Sequence, residues 1–223
     1  MTRQAEIRTG TGDRYQPRLR EAGEGESGRT IEGYAIVFGV ESRIICDWWD
    51  NYREVIEAGA ITQEELAQMD VKMTIWHNRE RLLARSNKGV GTLKMTVDEV
   101  GVKYSFEAPD TADGNTALEL VKRGDLSGSS FTYWTDEEHN VNYSKSEDSD
   151  EILVRHVNKI SQIMEMTIAS DPAYTQTSVS AREVESTGFK MKHEDEEPKG
   201  KAQYEARRRA LEKQERELKL NYY

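Results

Sequence analysis

Three hydroxyls and two glycines are packed into Gly124-Asp125-Leu126-Ser127-Gly128-Ser129-Ser130-Phe131, where a helical pattern gives way to a β pattern. A nucleophilic serine needs an exposed Oγ, a base within about 3 Å and backbone amides near the developing oxyanion; small neighbours let a substrate approach the main chain. Gly128, Ser129, Ser130 and Phe131 can supply the nucleophile and those amides. The stretch is not the Gly-x-Ser-x-Gly elbow of an α/β hydrolase, because Phe131 and Thr132 follow Ser130. On spacing alone, a plain Ser/Gly turn is the simpler account.

The base must come from four histidines, His77, His139, His156 and His193. No pair has the His-x-x-x-His spacing of a helical zinc site, an EF-hand loop is absent, and the single cysteine, Cys46, rules out a site with two cysteine ligands. Neither a metal nor an organic cofactor is called for. His139 lies in a polar stretch and His193 in a charged one, whereas His77 ends an alternating strand pattern after Trp76 and His156 lies within another. Spacing alone makes each an ordinary structural histidine. Glu165 interrupts the apolar run Ile163-Met164-Glu165-Met166-Thr167-Ile168, and a carboxylate there is costly to bury without a partner. An imidazolium is one such partner, so a serine, a histidine and a carboxylate on three β segments can form a triad.

The elements that must position these residues are mostly strands. Alternation predicts strands over 29–38, 52–56, 71–76, 93–97, 102–106, 129–135, 151–160 and 163–169, with 93–106 forming a hairpin about Asp98-Glu99-Val100-Gly101. A capping box, Thr62-Gln63-Glu64-Glu65, opens one short helix, and Asp113 to Arg123, closed by Gly124, forms a second. Residues 136–150 read as a polar loop. With no βαβ alternation, the pattern points to an antiparallel barrel or sandwich carrying a few helices. Residues 1–28 end in a Gly/Glu run and read as a flexible segment; 29–180 form the domain; 181–223 form a charged linker and helical tail, with Tyr204, Leu211 and Leu218 at seven-residue spacing.

The 223 residues are 36% hydrophobic and 32% charged, with a formal charge of −10. That balance argues against nucleic acid as the main partner. The last 43 residues carry eleven Lys/Arg and ten Asp/Glu, so the acidity belongs to the rest of the chain. No apolar run reaches the roughly 18 residues of a spanning helix, and no signal-peptide core opens the chain, so no membrane role is expected.

In order and spacing, several stretches resemble the prohead (procapsid maturation) serine proteases of tailed phages, whose fold is similar to the herpesvirus assembly protease. They are Ile31 to Phe38, Glu54 to Ile61, Trp76-His77-Asn78, Asp110 to Gly114, Arg123 to Phe131 and Ile160 to Tyr174. The resemblance implies an antiparallel β-barrel of the herpesvirus-protease type with His77 as general base and Ser130 as nucleophile. Ser129 is the alternative nucleophile. Glu165 matches the acidic third member; the herpesvirus enzymes use a second histidine, which keeps His156 open for that role. Thr132 stands where a glycine is common, and Met166-Thr167 replaces Val-Ser. Implied substrates are the protease itself and the scaffold or delta region of the major capsid protein, cut inside the procapsid in the host cytoplasm. A homodimer through the C-terminal helix or the barrel is a further implication. The competing reading is a non-catalytic capsid-assembly scaffold or docking protein.

Overall fold

A computed structural model of the chain describes residues 6–10, 16–20, 28–46, 51–146 and 152–170. The elements among them run β1 (Glu6–Gly10), β2 (Arg18–Leu19), β3 (Thr30–Val37), β4 (Ile45–Cys46), β5 (Asn51–Ile56), α1 (Gln63–Leu66), β6 (Asp70–Ile75), β7 (Asn78–Asn87), β8 (Val90–Gly91), β9 (Leu93–Val97), β10 (Gly101–Glu107), α2 (Ala112–Arg123), β11 (Gly128–Trp134), α3 (Glu137–Asn140), β12 (Val141–Lys145), β13 (Leu153–Val157) and β14 (Gln162–Ala169).

Local chemistry explains the helices. Thr62 accepts from the Glu65 amide and donates its own amide to the Glu65 carboxylate, the reciprocal capping box that the sequence predicts. Thr111 caps α2, and Gly124 ends it at φ 80°, a left-handed conformation that glycine adopts without steric cost. Gly114 is required for a different reason: a Cβ there would come within 2.0 Å of the Pro109 carbonyl oxygen.

Hydrogen-bonded ladders divide the strands into three sheets. A six-stranded sheet runs β1-β11-β14-β6-β7-β8, a four-stranded sheet runs β2-β3-β10-β9, and a second four-stranded sheet runs β12-β13-β5-β4. Met73, Ile75, Phe131, Met166 and Ile168 of the first sheet join Ile31, Ile36, Tyr104 and Phe106 of the second in one buried core. Burying that much branched and aromatic surface is the main force holding the sheets together.

The mainly β composition agrees with the sequence pattern, and the 93–106 hairpin forms in the expected register, with Val102 opposite Val97 and Phe106 opposite Leu93. The closed antiparallel barrel does not. Among the described residues the ladder never closes, and β14 pairs with β6, and β13 with β5, in parallel. Absence of βαβ alternation excludes only local crossovers; these partners lie 93 and 101 residues apart and reach parallel alignment through everything between them.

Three further differences concern particular segments. Residues 137–145, expected in a polar loop, form α3 and β12, because β13 supplies a ladder for a strand too polar to announce itself. Residues 78–87 form the long strand β7, whose charged, exposed positions hide its alternation. Residues 1–28, expected to be flexible, contain β1 and β2, which pair with β11 and β3. The expected helix over 199–220 lies outside the described residues.

Candidate active site

Two sheet registers assemble the site. In one row across three strands, Ser130 of β11 lies opposite Thr167 of β14, which lies beside Thr74 of β6; the adjoining row is Thr132, Glu165 and Lys72. Side chains alternate in a strand, so these residues share one face of the sheet. Ser129 belongs to the other face, where its Oγ is 2.8 Å from the buried Tyr104 hydroxyl. Gly128 and Phe131 flank the two serines in the same ladder, and the Phe131 ring is buried.

His77 comes from the turn between β6 and β7. Ile75 pairs with Asn78, leaving Trp76 and His77 as the two central residues, with φ 52° and 55°. Positive φ at both positions is the signature of a two-residue hairpin turn that normally selects Asn and Gly. Two bulky residues in this conformation store backbone strain, a pattern concentrated at functional sites. Two hydrogen bonds hold the turn: the Trp76 amide donates to the Ile168 carbonyl at 3.1 Å, and the His77 amide to Thr167 Oγ1 at 3.1 Å. Arg81 lies 4.8 Å from the Trp76 ring centroid and donates to Asp113, bracing the turn from outside.

The imidazole bridges the two rows. His77 Nε2 is 2.8 Å from Ser130 Oγ, and Nδ1 is 3.5 Å from Glu165 Oε2. Glu165 is 4% exposed and Ser130 fully buried. Thr74 Oγ1 donates to Glu165 Oε1 at 2.5 Å, and Thr132 Oγ1 donates to Oε2 at 3.4 Å. Thr74 Oγ1 also lies 3.0 Å from Thr167 Oγ1. Each hydroxyl has a single proton, which allows one consistent direction: His77 N–H to Thr167, Thr167 O–H to Thr74, Thr74 O–H to Glu165. Burial pushes the Glu165 carboxyl up, but the His77 and Thr74 hydrogen bonds and the charges of His77 and Arg79 outweigh it and hold the group below its ordinary value. Glu165 is therefore an ionised acceptor, and it selects the His77 tautomer with hydrogen on Nδ1 and a lone pair on Nε2 facing Ser130.

His156 does not join this group. Its Nδ1 is 2.7 Å from Glu57, just past the end of β5, and its Nε2 is 2.8 Å from Ser144 of β12. His139 is exposed and bonds to Asp136. Among the described residues, no cluster of three or more His, Cys, Asp or Glu forms a metal site. Sequence reasoning missed Thr74, Thr132 and Thr167, because threonine on a strand face is ordinary; only the register turns them into a hydroxyl network.

A serine, an imidazole and a carboxylate in hydrogen-bonding sequence, carried on three adjacent elements of a β-sheet, define a serine hydrolase site. The family profile described as caudovirus prohead serine protease matches residues 15–195, and the chain belongs to that family. It is a serine peptidase of phage head maturation, an enzyme class whose substrate is capsid protein in the prohead. No curated protein and no solved structure matches the chain. Among the described residues no helix is long and apolar enough to cross a membrane.

Proposed function

We propose that Ser130 is the nucleophile, His77 the general base and Glu165 the residue that orients the base. The observation that carries this reading is the 2.8 Å contact between Ser130 Oγ and His77 Nε2, with Nδ1 of the same ring turned toward an ionised carboxylate. In acylation, Nε2 takes the Ser130 proton as Oγ attacks the scissile carbonyl, and the imidazolium returns that proton to the departing amine. Water, activated by the same nitrogen, then hydrolyses the acyl-enzyme and regenerates Ser130. Main-chain donors of Gly128, Ser129 and Phe131 lie nearest the nucleophile for stabilising the oxyanion. Ser129 does not compete for the nucleophile's role, since its hydroxyl is bonded to Tyr104 on the opposite face.

The substrate we assign is the scaffold or delta region of the major capsid protein, together with the protease itself, cut within the procapsid. The family membership supports capsid protein in general, and the resemblance supports the finer choice. Co-expression with the cognate capsid protein tests both. Shortening of the capsid protein by wild type but not by Ser130→Ala is the expected result. Cleavage that persists in both Ser130→Ala and Ser129→Ala sinks the assignment, and cleavage outside the scaffold region overturns the substrate choice.

A further inference from the structure

The nucleophile strand has two edges. One is taken by β14, which carries Glu165; the other is taken by β1, in a register that sets Thr9 opposite Ser130, Gly10 opposite Ser129 and Arg8 opposite Phe131. Among the described residues β1 is the terminal strand of its sheet, and none of them pairs with its far side. With β1 in place, Ser130 is fully buried and the His77 side chain is only 12% exposed. A peptidase in this state has its serine–histidine hydrogen bond formed while the serine is shut from solvent.

Without β1, β11 becomes an edge strand with free N–H and C=O groups on both sides of Ser130. Such an edge recruits an extended chain through main-chain hydrogen bonds. The family match begins at residue 15, so β1 lies outside the portion matched to the family. The segment Glu6-Ile7-Arg8-Thr9-Gly10 is also short, and it reaches β11 from far along the chain rather than through a tight hairpin.

We infer that the β11 edge beside Ser130 is the binding site for the substrate's extended backbone, and that residues 6–10 are its internal occupant, which must leave before a capsid-protein segment can enter. The inference rests on the peptidase reading above and adds regulation to it. Departure of β1 uncovers the serine and releases the β11 main-chain donors that β1 consumes, so the same event opens the binding edge and frees amides near the oxyanion. The occupant is tethered and so competes at high effective concentration, which lowers apparent affinity for any substrate in proportion to the open fraction.

The test compares the full chain, a form lacking residues 1–10, and Arg8→Pro, whose ring removes the ladder donor opposite Phe131. Each is assayed on a peptide taken from the capsid-protein cleavage region and with a fluorophosphonate that labels reactive serines, with Ser130→Ala as control. Both altered forms should gain on the order of tenfold or more in kcat/KM and in labelling rate, the gain set by how rarely the full chain opens. A synthetic peptide of residues 1–12, added in trans, should inhibit the shortened form and leave the full chain unaffected. Equal rates for all three forms overturn the inference while leaving the peptidase intact. Labelling that never depends on Ser130 overturns the peptidase reading instead. Unfolding of both altered forms also overturns the inference, since β1 would then be an obligatory part of the sheet.

Discussion

At the scale of single residues, the site works by separating two adjacent serines. Period-two alternation sends Ser130 to His77 and Ser129 to Tyr104, so only one of the two serines meets the imidazole. Ser130→Ala should reduce capsid-protein cleavage to background with an unchanged melting temperature. Ser129→Ala should keep cleavage within about tenfold of wild type but lower stability by about 1 to 3 kcal/mol, because it strands the buried Tyr104 hydroxyl. Parallel cleavage and thermal-unfolding assays separate the two. Glu165→Gln should lower kcat by roughly 10²–10⁴ with little change in KM, since it loosens control of the tautomer rather than substrate contact. The same variant carries a pH signature. The folded-state pKa of Glu165 is depressed, so its ionic contribution to stability is complete above its ordinary value of 4.5 and is lost as pH falls through the lower folded value. The melting-temperature advantage of wild type over Glu165→Gln should therefore be constant near neutrality and shrink below about pH 4.5; an advantage independent of pH would mean Glu165 is not ionised in the folded protein.

At the scale of elements, the decisive piece is the two-residue turn that presents His77. The sequence pattern ends a strand at this histidine, which is near the truth, but it cannot reveal that Trp76 and His77 occupy paired left-handed positions, because their residue types argue against such a turn. That mismatch between local preference and fold is itself the mark of a functional position. His77→Asn should abolish cleavage while keeping or raising the melting temperature, since asparagine tolerates positive φ better than histidine. A large loss of stability would instead mean that the ring, through Ser130 and Glu165, holds the turn together. Other elements divide along the same line. Strands whose apolar residues alternate, such as β6, β9, β10 and β14, were legible, as were α1 and α2 from their caps. β7 and β12 were not, because arginines, asparagines and a tyrosine populate strands whose pairing comes from distant neighbours. The clustering of Ser130, His77 and Glu165 was legible only through family resemblance: they lie 35 to 88 positions apart in sequence, and the sheet register that unites them depends on a parallel pairing no local signal encodes.

At the scale of the whole molecule, the catalytic sheet must be fixed against the sheet of β12, β13, β5 and β4, and a buried polar clamp does this. Arg155 of β13 pairs with Glu54 of β5; the hydroxyl of Tyr133 on β11 donates to Glu54 at 2.9 Å and accepts from Arg155 at 2.9 Å; and Arg155 reaches Glu137 of α3 at 2.5 Å. Arg155 and Glu54 are 3% and 1% exposed. Tyr133 lies three residues beyond Ser130 on the same strand, so the clamp fixes the height of Ser130 as well as the spacing of the sheets. A buried ion pair adds little over an apolar pair of similar size, but removing one partner leaves a desolvated charge, which costs about 3–5 kcal/mol. Arg155→Met alone should therefore lower unfolding free energy in urea by about that amount, and adding Glu54→Leu should recover much of it, because the stranded carboxylate is then gone. If the clamp also sets the position of β11, the recovered double variant will still cleave more slowly than wild type, with the loss in kcat. Full recovery of stability and kcat together would mean that the core alone positions the nucleophile strand.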